Sequence, residues 1–265
     1  MRTIQWASVV CFALAAVGCV ADTAGSTEPT DIGTDQEALG ANLAFPVDFT
    51  NCTEMASLAP VPVSAVRSRV PSSYALANEA AGTTFIVVRI ANCQGTSVAG
   101  HATGPGTVAQ VGVNLVSPDG TGDINNYALW YYTTNARLFA RLRAIGVSAA
   151  QFVPDIRYQF TSTGAGTGNL QIRVPGDPAF TVGGPVVVPT AAAVPYTANW
   201  WEDSCRGSVR MNTPIPAIQF SSATMTLRTA RHSELGDIFG ASTVTFPIFD
   251  SYNRFPAAHM NVAYR

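Results

Sequence analysis

Short runs in which apolar and polar side chains alternate, cut by Gly, Pro, Asn and Asp, recur along most of the chain. They predict strands at Thr84–Ile90, Val108–Val116, Tyr127–Thr133, Ile156–Thr161, Leu170–Val174, Val182–Val188, Ser208–Thr213, Ala223–Arg228 and His259–Tyr264. One segment has a different period. "NARLFARLRAIG" offers Asn135 as an N-cap, Leu138, Leu142 and Ile145 at helical spacing, and Gly146 as a stop, so it predicts a three-turn helix. A shorter helix is expected at "HSELGDIFG", capped by Ser233 or its neighbour. Strands at close intervals between turn signals predict a mainly β fold: a closed or partly open β-barrel-like domain with one or two short packed helices.

The start of the chain breaks this pattern. Arg2 is followed by a mostly apolar stretch from Trp6 to Gly18. A membrane span needs about 20 apolar residues, so this run is too short to remain as one. A basic start, a short apolar core and small residues at its end predict a secretory signal over 1–18. "Ala16-Val17-Gly18-Cys19" resembles the lipobox of bacterial lipoproteins, with Ala16 where that family usually has leucine. The resemblance implies a diacylglyceryl group on Cys19, which would become the mature N-terminus and hold the chain to a membrane. Two or three acyl chains anchor far more firmly than one, because each buried methylene contributes about 0.8 kcal/mol. Val20 stands where aspartate retains such lipoproteins in the inner membrane, so the expected location is the bacterial outer membrane, on its periplasmic or surface side. From Cys19 to Ala41 the chain carries Asp22, Glu28, Asp31, Asp35 and Glu37 and no basic residue. Such a stretch buries too little apolar surface to offset its ordering entropy, and 19–41 is read as a flexible acidic tether. A single β-rich domain is expected over 42–265.

Composition narrows the chemistry. The sequence is 47% hydrophobic and 12% charged, enough for a substantial core. No clustered positive field suggests nucleic acid as a partner. The chain has no lysine. A Schiff base to a substrate carbonyl or to pyridoxal phosphate needs a lysine amine, since arginine stays protonated. A lysine-bearing phosphate loop is excluded for the same reason. No cofactor is expected.

Cys11 reads as a small hydrophobe within the signal. Of Cys52, Cys93 and Cys205, the favoured disulfide is Cys52–Cys93, with a pairing of either to Cys205 left open. "WWEDSCRG" holds no histidine to activate Cys205, so a buried or paired thiol is expected there. "PDGTGDIN" resembles a calcium loop in its oxygens at Asp119, Thr121, Asp123 and Asn125. It lacks the sixth-place glycine and the closing glutamate, so a tight strand connection is preferred. "TGAGTGN" lacks dinucleotide spacing and reads as a hairpin tip. His101, His232 and His259 have no metal-ligand spacing, and no metal is expected. His101 is the one histidine singled out for acid–base work. Arg141 on the helix, with Arg137 and Arg143 near it, could meet an anion. Trp200 and Trp201 are adjacent, so on a strand one would face inward and could line a cavity. Trp200, Trp201, Arg141 and His101 are therefore the ligand-binding candidates.

"LWYYTTNARLFARLRAIG" (Leu129 to Gly146) and "IPAIQFSSATMTLRTARHSELGDI" (Ile215 to Ile238) together resemble the acetoacetate decarboxylase superfamily. The resemblance implies a large β structure around an enclosed cavity, with a Schiff-base lysine delivered by the segment after the helix. In this sequence "VSAAQ" follows Gly146, so Ser148, Ala149 or Ala150 stands at the lysine's place. The expected function is therefore a lipid-anchored envelope protein binding a small, apolar ligand without covalent catalysis. A non-lysine enzyme using His101 and a surface interaction protein are the rivals.

Overall fold

A long first strand, β1 (Phe45–Pro62), opens the described part of the chain, residues 43–265 of this computed structural model. The expected signal (1–18), the tether (19–41), Cys11 and Cys19 lie outside the described residues. After β1 come a short helix α1 (Val63–Val66), β2 (Thr83–Val98), β3 (His101–Asn114), β4 (Ile124–Thr133), helix α2 (Ala136–Ala144) and β5 (Ala150–Phe152). There follow β6 (Arg157–Gly164), β7 (Thr167–Val174), β8 (Phe180–Val187), β9 (Val194–Ser204), β10 (Gly207–Ser222), β11 (Thr226–Thr229), helix α3 (Glu234–Phe239), β12 (Thr243–Thr245) and β13 (Phe249–Tyr264). The strands β3-β2-β1-β13-β10-β9-β4 form one sheet, and pairing of β3 with β4 closes it into a seven-stranded barrel. β5 attaches to β4 outside this closure, and β12-β11-β8-β7-β6 form a second sheet. The mainly β, barrel-like expectation holds.

Two apolar clusters explain the layering. Met55, Ile86, Val88, Ile90, Val111 and Val113 point outward from the barrel and pack with Leu170, Ile172, Val174 and Val182 of the second sheet and Leu235 and Ile238 of α3. The alternate residues of the same strands point inward. Phe49, Val87, Val108, Tyr131, Trp200, Met211 and Met260 meet Leu138, Leu142 and Ile145 of α2, which plugs one end of the barrel. The α2 cap is the one expected: Asn135 accepts from the Leu138 amide. Ser233 likewise caps α3, accepting from the Gly236 amide.

Four neighbouring barrel strands share an extra residue at one level. Inward-facing positions step from Phe49 to Cys52 in β1, Cys93 to Thr96 in β2, Phe255 to Ala258 in β13 and Ile215 to Ile218 in β10, each pair buried. Asn51, in the left-handed region at φ 49, breaks the β1 ladder at this level, and Pro256 of β13 lies opposite it, both unpaired. Aligned bulges bend a sheet without changing its register. Beside this crease, Cys52 and Cys93 face each other across β1 and β2 and form the disulfide. Cys205 is exposed in the β9–β10 turn and forms no disulfide among the described residues, correcting the buried or paired expectation. A two-strand hairpin there leaves its side chain nothing to pack against.

Candidate functional site

The barrel interior is not uniformly apolar. Glu54 of β1 lies in the core with its ladder partner Asn253 of β13, and Arg89 of β2 pairs with Gln110 of β3. Arg89 reaches diagonally to Glu54: its Nε and Nη2 both lie 2.6 Å from Glu54 Oε2. Its Nη1 donates to Gln110 Oε1 at 2.7 Å, and Asn253 Nδ2 donates to Glu54 Oε1 at 3.1 Å. A buried charge pair of this kind persists only where its remaining atoms are hydrogen-bonded.

Next to it lies a cavity of about 30 Å³, lined by Glu54, Arg89, Asn126, Trp200 and Asn253, with Tyr196, Phe220, Phe249 and Leu58 toward the barrel mouth. Three of its lining atoms have no hydrogen-bond partner: Asn126 Nδ2, Trp200 Nε1 and Asn253 Oδ1. Their side chains are oriented by other bonds. Asn126 Oδ1 accepts from Asn114, and Asn253 Nδ2 donates to Glu54, leaving one amide donor and one amide carbonyl over. Two donors and an acceptor without partners thus belong to side chains lining a space that holds a water or a single polar group. The mouth is apolar: Tyr196 and Phe220 meet edge to face at 5.5 Å, and Phe249 and Ile248 are exposed. Burial pushes the Tyr196 hydroxyl above its ordinary value, with the Glu54 charge adding to it.

Of the ligand-binding candidates, the chamber contains only Trp200. Trp201 faces outward, donates to Asn125 Oδ1 at 2.9 Å and lies under the Arg210 guanidinium. Arg141 lies on α2, part-exposed, and His101 is exposed at the turn that starts β3. The four are not brought together. His259 pairs with Asp48 at the surface, 2.5 Å away. The calcium-like loop is the strand connection: Asp119 bonds Thr121 and Arg210, and Asp123 accepts from the Thr197 amide at 2.6 Å. Asn126 and Asn253 went unnoticed in the sequence because a lone asparagine in a strand carries no spacing signal. What marks them is the missing partner.

A second opening lies where β4 changes neighbours. β4 runs parallel to β9 over residues 124–127 and to β5 over 131–133. Glu202 of β9 sits in the fork, accepting at Oε1 from Ser148 Oγ (2.5 Å) and the Ala149 amide (2.9 Å). Burial raises its carboxyl above the ordinary value, while those two bonds, the Ser148 amide and the Arg143 charge pull the other way. Ser148 and Ala149 thus line the fork, and Ala150 is buried beside Tyr131.

The fold defined here is that of acetoacetate decarboxylase-like proteins. A structure of acetoacetate decarboxylase matches with a TM-score of 0.55 and 14% identity, over 83% of this chain and 89% of that chain. An acetoacetate decarboxylase-like enzyme from Sphingomonas wittichii matches with a TM-score of 0.52 and 8% identity, over 88% and 97%. The acetoacetate decarboxylase of Legionella pneumophila gives 0.52 and 11%, over 91% and 96%. At these identities the likeness is one of fold. No protein-family model matches the sequence, and no curated protein does.

Proposed function

We propose that the barrel captures a small amphipathic molecule without covalent chemistry, on a protein tied by lipid at Cys19 to the outer membrane. The observation that supports this is the set of three partnerless atoms, Asn126 Nδ2, Trp200 Nε1 and Asn253 Oδ1, around one cavity behind an apolar mouth. A carbonyl or hydroxyl oxygen of the ligand accepts from the two donors, and a hydroxyl proton meets Asn253. The ligand's body stays among Leu58, Tyr196, Phe220 and Phe249, because about 30 Å³ admits only its polar end. A purely apolar ligand would leave the three atoms unsatisfied, so the apolar expectation is amended to an amphipathic one. With no lysine, a ligand carbonyl meets hydrogen-bond donors and not an amine nucleophile.

Titration calorimetry of the purified protein with straight-chain alkanoates and alkanols, butyrate to decanoate and their alcohols, tests the reading. Affinity is expected to rise with chain length as the mouth fills. Trp200→Phe removes the N–H and is expected to weaken binding roughly two- to tenfold, the range of one net hydrogen bond. No binding by any probe at millimolar concentration, or unchanged affinity in the variant, would overturn it. A second reading, an enzyme of this fold working without a Schiff base, draws on the fold likeness and the Glu54–Arg89 pair in the interior.

A further inference from the structure

The fork between β9 and β5 leaves β4 incomplete. Ala128 and Trp130 pair with Gly112 and Val111 of β3, with Leu129 bulged between them, and the stretch has no ladder neighbour on its other side, where β9 has ended its pairing at Tyr127 and β5 begins at Tyr131. A cleft of about 400 Å³ lies over this gap, lined by that stretch with Ser148, Ala149 and Glu202, and with Arg69 and Glu234 also on its wall. Glu202 is 2% exposed, and its Oε2 has no hydrogen-bond partner. Arg69 is already held by Glu234 at 3.1 Å. Arg143 donates to the Ser148 carbonyl at 2.7 Å and acts on Glu202 through its charge, with no bond to Oε2. The nearest further acid, Asp203, accepts from the Tyr74 and Ser208 hydroxyls. The cleft wall therefore holds one buried carboxylate oxygen without a partner, beside the outer Glu234 carboxylate and a strand edge that lacks a ladder neighbour.

We propose that this cleft is a binding site for a small primary amine, whose ammonium group donates to Glu202 Oε2 and to backbone on the open edge of β4 at Ala128–Leu129. An ammonium group has three donors, which matches several acceptors converging from a side chain and a strand edge. It also brings a positive charge within bonding reach of a buried carboxylate oxygen that has no partner, and charge-assisted bonds are about twice as strong as neutral ones. An alcohol of the same size offers one donor and no charge. A carboxylate offers none and meets Glu202 with like charge. The site is separate from the barrel chamber, so the two readings stand or fall independently.

The test titrates the full chain with propylammonium, 1-propanol and propionate, following backbone amide shifts by NMR. Propylammonium is expected to bind at least tenfold more tightly than either control, with its largest shifts at Ala128–Trp130 and Ala149. Glu202→Gln keeps an acceptor for Ser148 and Ala149 and is expected to abolish the preference. Equal affinity for the three probes, no saturation at tens of millimolar, or shifts centred away from the fork would overturn the proposal. If Glu202→Gln fails to fold, the wild-type shift map decides alone. Trp200→Phe, which alters the chamber, is expected to leave propylammonium affinity unchanged.

Discussion

Removing the Glu54–Arg89 pair one partner at a time, and then together, tests whether the barrel interior is organised around it. The two side chains are 3% and 12% exposed and 2.6 Å apart, so neither charge is solvated enough to stand alone. Arg89→Met leaves the Glu54 carboxylate with Asn253 as its one remaining donor, and Glu54→Leu leaves a guanidinium held by Gln110 alone. Stranding one member of a buried pair costs roughly 3–5 kcal/mol. For a domain of this size each kcal/mol moves Tm by about 2–4 °C, so each single variant is expected to melt roughly 6–20 °C lower. The double variant loses both charges and gains apolar contact, but it leaves Gln110 Oε1 and Asn253 Nδ2 without partners, at about 1–3 kcal/mol each. Its loss is therefore expected to be about 2–6 kcal/mol, below the roughly 6–10 kcal/mol that the two single changes would give if they added. Urea unfolding followed by tryptophan fluorescence reads all four corners of the cycle. Losses that simply add, within about 0.5 kcal/mol, would refute the argument, because coupled residues in one network do not add.

Three further outcomes are expected. Cys52 and Cys93 are 41 residues apart, and reducing their bond is expected to cost roughly 4 kcal/mol on loop-closure grounds, while Cys205 reacts with iodoacetamide in the folded protein. A reduced protein with an unchanged unfolding midpoint would contradict this. Burial raises the Glu202 and Asp250 carboxyls, so the folded state keeps protons that the unfolded chain has released. Their stabilisation is full below the ordinary values of 4.5 and 3.8 and is lost as pH rises through the folded-state values. Tm is then expected to fall less steeply with rising pH in Glu202→Gln than in wild type, and parallel curves would count against it. Mass spectrometry of the native N-terminal peptide is expected to find it starting at Cys19 with a diacylglyceryl thioether. Cys19→Ser is expected to leave the protein in the soluble fraction, and a bare thiol on the native peptide would remove the anchor.

The sequence made the local features legible and left the long-range ones hidden. The α2 helix stands out because one face carries Leu138, Leu142 and Ile145 and its cap is a lone Asn135. β6 to β8 lie in the peripheral second sheet, where β7 alternates cleanly between exposed and buried residues. β1 and β9 gave no such signal. β1 is covered on both faces, places Glu54 inward, and shifts its alternation at Asn51, so the period-2 pattern fails midway. β9 runs "TANWW" with five consecutive residues from Ala198 to Glu202 buried, again without alternation. A strand covered on both faces looks irregular in sequence, and polar residues facing inward make it look like a loop. The disulfide was readable because Cys52 opens the expected domain, Cys93 ends a predicted strand, and the start of the chain reads as an export signal. The chamber was not, since Asn126, Trp200 and Asn253 meet only after the barrel closes.

The partnerless polar atoms cluster for a topological reason. Asn126 faces Trp200 and Tyr127 faces Trp201 on the last rungs of the β4–β9 ladder, and Glu202 is the next residue on β9. Trp200 and Glu202 share one side of the strand. Beyond them β4 passes to β5, so Glu202 has no ladder partner on β4. Asn126 Nδ2, Trp200 Nε1 and Glu202 Oε2 are all left unsatisfied along this short stretch. Native interiors leave few such atoms, because each costs about 1–3 kcal/mol. A fork in a barrel can be sealed with leucine or valine at no such cost, as α2 seals the barrel end with Leu138, Leu142 and Ile145. That the chamber wall keeps an amide and an indole N–H, and the separate fork beyond it a carboxylate, is a departure from stable packing at two neighbouring places. Departures of this kind concentrate at functional or strained sites.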